Sequence, residues 1–269
     1  MAFADLGDVT LFYTDEGAGQ PVLLVHGYTC DSHDWDYQIP ALVEKYRVIA
    51  VDLRGHGHSS APAEGYTPRG YANDLARLLK QLGTGPVVAA GHSMGGATVV
   101  ALAVEHPELV RAVVPVDSAY GFAPEMSGMV TDLVAGLGSP AGHAVARGFF
   151  LNTFYPPSSP LHLRTHHARR LEAVPAHVLK KAFEGIASVP EQFAYTPQSE
   201  AYLAKVTCPA LCFRAGNANP AAVADWERAQ FKHPYSHAVA WEGSGHFLHQ
   251  ERPAEFNALL LQWLEGLPA

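Results

Sequence analysis

Short apolar runs alternate with longer amphipathic segments along most of the chain. A continuous apolar run is typical of a strand covered on both faces, whereas apolar residues at helical spacing line one face of a helix. This pattern predicts strands at residues 9–14, 21–25, 46–51, 86–90, 111–116, 210–214 and 238–241. It predicts helices at residues 32–45, 70–82, 97–106 and 253–264.

The order of these elements indicates the fold class. Strands that alternate with helices favour a mostly parallel sheet with helices on both faces. In such sheets, ligands bind beyond the carboxyl ends of the strands. We therefore expect the residues that carry the chemistry in loops that directly follow strands.

The pattern changes between residues 121 and 197. Pro, Gly and aromatic residues become frequent, strand signals vanish, and helical pieces such as 132–150 and 176–187 remain. We interpret this segment as a helical cap (lid) inserted into a core domain formed by residues 1–120 and 198–269. The cap carries more apolar bulk than its own packing needs. Four of its side chains are candidates for a substrate pocket, namely Phe122, Phe150, Phe154 and Phe183.

Composition narrows the class of protein. With 48% hydrophobic and 16% charged residues, the 269-residue chain can bury one substantial core. Its net charge of −8 and lack of basic runs argue against nucleic acid as a partner. Residues 1–8 do not resemble a signal peptide, and no apolar run is long enough to span a bilayer. Cys30, Cys208 and Cys212 form an odd set without Cys-x-x-Cys spacing, which favours free thiols and a cytoplasmic location.

The strongest chemical signal is the stretch Gly91-His92-Ser93-Met94-Gly95. It joins an apolar strand-like run to a helix-like one, and a serine with glycines two residues away on either side is typical of a nucleophile elbow. Glycines at 91 and 95 let neighbouring backbone pass where a Cβ would clash. The serine hydroxyl then lies at a helix N-terminus, which favours developing negative charge.

Four motifs in the chain resemble the α/β-hydrolase fold superfamily. They are His26-Gly27, the 52–59 segment Asp-Leu-Arg-Gly-His-Gly-His-Ser, the elbow, and Gly243-Ser244-Gly245-His246. The resemblance covers nearly the whole chain apart from the cap. It implies a mostly parallel eight-stranded sheet flanked by helices, with the helical cap inserted.

The resemblance also implies catalytic roles. Ser93 would be the nucleophile and His246 the general base. The intermediate of acyl transfer needs two donors for its oxyanion. One is the backbone amide of Met94, directly after the nucleophile, and the resemblance assigns the other to the amide of Tyr28. His26 is expected to brace that loop.

The chain departs from the family pattern at the acid of the triad. Family members commonly carry an aspartate in a Gly-x-x-Asp turn, where this chain has Gly216-Asn217-Ala218-Asn219. We assign the acid to Asp117, at the end of the strand that follows the elbow. This arrangement resembles zearalenone lactonases, and a group of haloalkane dehalogenases also takes its acid from that strand. A degenerate triad with Asn219, or Asp225 from the next helix, are the alternatives.

Other histidines carry weaker signals. His56 and His58 lie in a loop that is a family signature, which favours a structural role. His162, His166 and His167 have no cysteine or carboxylate at ligand spacing along the chain, so we expect no metal. Phosphate-loop and dinucleotide fingerprints are also lacking, and we expect no cofactor.

The sequence therefore predicts a serine hydrolase, an esterase or lactonase, whose partner is a mainly apolar small-molecule ester or lactone. Serine at position 93 argues against a dehalogenase, which would need a carboxylate nucleophile there. Two alternatives remain open. One is a lyase or carbon–carbon bond hydrolase with the same triad, and the other is a small-molecule binder without activity. The oligomeric state is not indicated.

Overall fold

A central sheet of eight strands organises the protein across residues 1–189, 192–216 and 219–268, which the computed structural model describes. The strands are β1 (Ala2–Asp5), β2 (Thr10–Glu16), β3 (Pro21–Val25), β4 (Arg47–Val51), β5 (Val87–His92), β6 (Val110–Val116), β7 (Leu211–Arg214) and β8 (His237–Ala240). Their order in the sheet is β1-β2-β4-β3-β5-β6-β7-β8. β2 is antiparallel to both of its neighbours, and the other pairs are parallel. The predicted fold class is confirmed, and β1 is a strand that the sequence reading missed.

The helices flank this sheet. They are α1 (Ile39–Leu42), α2 (Pro68–Leu82), α3 (Met94–Glu105), α4 (Ser127–Leu137), α5 (Gly142–Thr153), α6 (Leu161–Ala173), α7 (Ala176–Ala187), α8 (Gln198–Leu203), α9 (Pro220–Gln230), α10 (Leu248–Glu251) and α11 (Pro253–Glu265). Within the described ranges, no helix combines the length and the apolar character needed to cross a bilayer.

Two predicted helices are wrong as single elements. The segment 32–45 forms a 3₁₀ turn at Ser32–Trp35 followed by the short α1. The segment 132–150 divides into α4 and α5. Pro40 lies in the first turn of α1 and Pro140 lies between α4 and α5, and a proline cannot donate the backbone hydrogen bond that would continue a preceding helix.

The sheet is buried on both faces. In β3, Val22 and Leu24 pack into one apolar cluster, and Leu23 and Val25 pack into the cluster on the opposite face. Successive side chains of a strand point to opposite faces, so a continuous apolar run is what a doubly covered strand requires. The helices α2 and α3 contribute to the cluster that contains Leu23 and Val25, and α11 contributes to the cluster that contains Val22 and Leu24.

Four helices, α4 to α7, lie within the segment 121–197 that the sequence assigns to a cap. A parallel bridge between Phe122 and Tyr195 joins the two ends of this segment. Apolar side chains from these helices belong to the same cluster as α2 and α3. The division into cap and core stays a prediction, with this bridge at its boundary.

Two buried histidines brace loops at the carboxyl edge of the sheet. His56 Nδ1 donates to the carbonyl of Arg54 at 3.0 Å, and the side chain is 1% exposed. His249 packs against the Trp35 ring with centroids 4.8 Å apart. Burial lowers the pKa of each imidazole from 6.5 to about 3. Both rings are therefore neutral in the folded protein at neutral pH.

We expect the free energy of unfolding to fall as the pH drops below about 6.5. The unfolded chain takes up protons on these histidines between about pH 6.5 and 3, and the folded chain does not, so acid favours unfolding. Each histidine should cost about 2 kcal/mol at pH 5. Denaturant unfolding at pH 7 and pH 5 measures the difference.

His56→Gln should remove one histidine's share of this pH dependence. His33→Gln is the matched control because the His33 side chain is 54% exposed, and it should leave the dependence unchanged. Equal unfolding free energies of the parent protein at the two pH values would contradict the expectation.

Candidate active site

Ser93 lies at a sharp turn between β5 and α3 with φ 53° and ψ −114°, a backbone conformation that non-glycine residues rarely adopt. A Cβ on Gly91 would lie 2.2 Å from the Gly95 carbonyl oxygen, and one on Gly95 would lie 2.3 Å from that of Val25. Glycine is therefore required on both sides of the serine. The predicted elbow is present in the structure.

The strand next to β5 holds this turn in place. The Ser93 amide donates to the carbonyl of Val116 at 2.8 Å, and the Ala119 amide donates to the Ser93 carbonyl at 3.1 Å. Asp117 lies between these two anchors and has a positive φ of 42°. Its amide donates to the Phe213 carbonyl at 2.8 Å. Asp117 and Ser93 thus follow adjacent parallel strands at the same edge of the sheet.

His246 lies in the loop after β8, and its side chain meets Asp117. The Nδ1 atom of His246 is 2.6 Å from Oδ2 of Asp117, and the other carboxylate oxygen accepts from the Ala215 amide at 3.1 Å. The imidazole stacks on the Phe154 ring with centroids 4.2 Å apart. The His246 amide also donates to the Phe154 carbonyl at 3.0 Å. Backbone and ring contacts together fix the orientation of His246.

The two alternative acids lie elsewhere. Asn219 is exposed and caps α9, where its side chain accepts from the Ala222 amide at 3.0 Å. Asp225 is 68% exposed and pairs with Arg228. The middle of the predicted Gly-x-x-Asp-like turn, residues 217–218, lies outside the described residues. Gly216 is described, and a Cβ on it would lie 3.1 Å from Oδ2 of Asp117.

The loop after β3 lies directly against the elbow. A Cβ on Gly27 would lie 3.3 Å from Cβ of Ser93. His26 braces this loop, because its Nε2 accepts from the Leu53 amide at 2.9 Å and its Nδ1 donates to the Gly27 carbonyl at 2.8 Å. Tyr28 follows, buried, with its hydroxyl donating to the Leu179 carbonyl at 2.7 Å. Met94 is the first residue of α3, so its amide has no carbonyl within the helix to bond.

A cavity of about 270 Å³ lies between these residues and the helices α4, α5 and α7. Ser93, Asp117 and His246 lie at its base. Tyr28 and all four candidate pocket residues, Phe122, Phe150, Phe154 and Phe183, line it. The other apolar lining residues include Met126, Met129, Val130, Leu133, Phe149 and Ile186. The sequence prediction therefore named part of the wall and missed the contribution of α4.

Two further residues at the base were not identified from the sequence. Nε2 of His92 donates to the His246 carbonyl at 2.9 Å, and burial lowers the pKa of His92 well below its usual value. Arg214 is 4.0 Å from Asp117 and pairs with the fully buried Glu227. Burial alone would lower the pKa of Arg214, but Glu227 outweighs that effect and raises it. The sequence signal for Arg214 was its position at the end of a predicted strand, where residues that carry the chemistry are expected.

Comparison with known proteins gives matches of two kinds. A curated 2-(acetamidomethylene)succinate hydrolase from Mesorhizobium japonicum is 39% identical over 113 residues, which cover 42% of this chain and 41% of the relative. A non-heme haloperoxidase from Rhodococcus erythropolis is 43% identical over 108 residues, or 39% of each chain. This chain thus spans about two-fifths of the length of the curated relatives it matches. The structure of a thermophilic esterase from Thermogutta terrifontis aligns with a TM-score of 0.85 and 26% identity, covering 99% of this chain and 97% of that one.

The family model described as the alpha/beta hydrolase fold matches residues 20–215. That range contains the elbow, the loop after β3 and Asp117, and the sheet order agrees with the predicted fold. The chain therefore belongs to the α/β-hydrolase fold family.

Proposed function

We propose that the protein is a serine hydrolase that cleaves a carboxylic ester or lactone of a mainly apolar small molecule. The observation that carries the proposal is the 2.6 Å contact between His246 Nδ1 and Asp117 Oδ2 in the cavity that Ser93 also lines. A base oriented by a carboxylate beside a serine at a strained turn is the arrangement used for acyl transfer.

The proposed reaction has two steps. Asp117 accepts a hydrogen bond from Nδ1–H of His246 and holds the tautomer whose Nε2 lone pair takes the proton of Ser93 as the hydroxyl attacks the substrate carbonyl. The amides of Tyr28 and Met94 would donate to the oxyanion. His246 then protonates the leaving alcohol. In the second step it activates water, which attacks the acyl-enzyme and releases the acid and Ser93.

The walls of the cavity support an apolar substrate. Phenylalanine, methionine and aliphatic side chains form most of its lining. Arg214 also lines it, but its guanidinium is paired with Glu227 at 2.9 Å and so does not offer an unbalanced charge to a substrate anion. Among esters we favour a lactone, because the place of Asp117 after β6 resembles the lactonase branch. The cytoplasmic location and the small-molecule partner stay predictions from the sequence.

Covalent labelling of Ser93 separates a hydrolase from a binder. A fluorophosphonate probe should label the native protein and should not label Ser93→Ala, because only an activated serine attacks phosphorus at a useful rate. Intact-mass spectrometry measures the adduct. Heat-denatured protein is the control for non-specific labelling, and an inert native serine would favour the binder.

Asp117→Asn should lower kcat by about ten-thousand-fold, because an asparagine neither fixes the required tautomer nor stabilises the imidazolium. Hydrolysis of p-nitrophenyl esters measures the loss. Asn219→Asp and Asp225→Asn are the matched controls, and both should keep the parental rate. Near-normal activity of Asp117→Asn, or a large gain in Asn219→Asp, would reject the assignment.

The proposed substrate class predicts discrimination by charge. An ester whose acyl chain ends in a carboxylate should have a kcat/KM at least about a hundredfold lower than a neutral chain of equal length, since burying an unpaired anion costs several kcal/mol. Leu133→Lys, which adds a cation to the lining, should narrow the gap. Equal kcat/KM values for the two esters in the parent protein would overturn the apolar assignment.

A further inference from the structure

Three potential metal ligands meet behind the loop that carries Tyr28. They are Cys30, Asp34 and His167, and one ligand atom of each lies within 4.8 Å of the other two. Cys30 follows β3, Asp34 lies in the 3₁₀ turn Ser32–Trp35, and His167 lies on α6 of the cap. None of the three is more than 1% exposed. The cluster therefore lies where α6 meets the loop that follows β3, and it shares no residue with the proposed catalytic set.

Two polar atoms of this cluster lack hydrogen-bond partners within the described part of the chain. Among the described residues, Asp34 Oδ2 and His167 Nε2 are buried and have no hydrogen-bond partner. Buried polar atoms are almost always paired, so each exception calls for an explanation such as a bound ion. Here two such atoms belong to the same cluster.

The spacing fits a shared ion better than a hydrogen bond. His167 Nε2 is 3.5 Å from Asp34 Oδ1. That separation is longer than the roughly 2.7–3.2 Å of an N–H···O hydrogen bond. Two nitrogen or oxygen ligands about 2.0–2.1 Å from a tetrahedral ion lie roughly 3.4 Å apart.

The surroundings orient His167 as a ligand. Its Nδ1 is 2.5 Å from the Tyr155 hydroxyl, so Nε2 is the nitrogen that faces Asp34. The imidazole also stacks on Phe247 with centroids 3.8 Å apart. Ligating histidines usually have their other ring nitrogen hydrogen-bonded, which fixes the tautomer and the ring orientation.

The local charges balance for a divalent cation. Arg170 donates a hydrogen bond to the Asp34 carboxylate, and its Nε lies 3.3 Å from Oδ1 of Asp31. With Cys30 as a thiolate, three negative groups and one guanidinium leave two negative charges.

We propose that Cys30, Asp34 and His167 form a structural site for a divalent cation that accepts mixed sulfur, oxygen and nitrogen ligands, with Zn²⁺ the best match. A surface cavity of about 640 Å³, lined in part by Cys30 and Arg170, lies next to the cluster. The bound ion ties α6 to the loop that carries Tyr28. The sequence reading expected no metal because Cys30 and Asp34 are remote from His167 along the chain, while His162 and His166 are exposed and do not join the cluster.

Cobalt titration of the metal-free protein tests this site. Protein made without an affinity tag is stripped with a chelator, dialysed, and titrated with Co²⁺. We expect one ion per chain and a thiolate-to-cobalt charge-transfer band in the near ultraviolet, with visible bands typical of tetrahedral cobalt. Zn²⁺ should displace the cobalt and raise the midpoint of thermal unfolding.

Variants assign the ligands. Cys30→Ser should abolish the charge-transfer band, and His167→Gln should weaken Co²⁺ binding by at least about tenfold. Cys208→Ser and His166→Gln are matched controls, on a different cysteine and on the same helix, and should behave as the parent. Circular dichroism checks that each variant is folded. If Cys30→Ser does not fold, the comparison of His167→Gln with His166→Gln decides.

Two results would overturn the site. The first is the lack of a charge-transfer band in the parent protein, which would leave a hydrogen-bonded thiol, carboxylate and imidazole instead. The second is equal cobalt affinity in His167→Gln and His166→Gln, which would place the ion elsewhere. Neither result depends on hydrolase activity, so the site and the proposed function fail or stand separately.

Discussion

The close approach of backbone segments around Ser93 is the constraint on which the rest of the site depends. The turn packs against β3 through Gly95, against the loop after β3 through Gly27, and against the segment after β6 through Gly96, where a Cβ would lie 1.8 Å from the Ser118 hydroxyl. These contacts leave no room for side chains. They bring the nucleophile turn, the loop of Tyr28 and the segment of Asp117 to one point on the sheet edge.

Charge at the base of the cavity follows from the same packing. Asp117 accepts hydrogen bonds from the Ala215 amide and from Nδ1 of His246. The Arg214 guanidinium lies 4.0 Å from Asp117, at the outer limit of an ion pair. The Arg214 guanidinium pairs with Glu227 and donates a hydrogen bond to the Ser118 carbonyl. It therefore does not hold Asp117 in a tight ion pair. The Asp117 carboxylate is thus left to pair with the imidazole.

The sequence predicted most strands of the sheet and the elbow, but it predicted fewer of the elements within the segment 121–197. Buried parallel strands such as β3 have a local signature, because both faces are apolar, and the elbow has one because its glycines are fixed in spacing. The break between α4 and α5 has a local signal in Pro140, but the contribution of Met126 and Met129 to the cavity depends on tertiary packing, which chain order does not encode locally. The meeting of His167 with Cys30 and Asp34 is of the same kind, since the three lie on separate elements. Asp117 was assigned as the acid because position 219 holds an asparagine and because the segment after β6 resembles the lactonase branch, and the structure places its carboxylate 2.6 Å from His246 Nδ1.

The residue that follows α5 couples this helix to the His246 loop. Phe154 accepts the His246 amide and stacks on its ring, and it directly follows α5. A rigid-body lift of α5 would break both contacts and release the imidazole from its orientation. A displaced α5 and a correctly placed His246 therefore exclude each other. Met129 of α4 lines the cavity and is 57% exposed, so a ligand that passes beside α4 leaves both contacts of Phe154 intact.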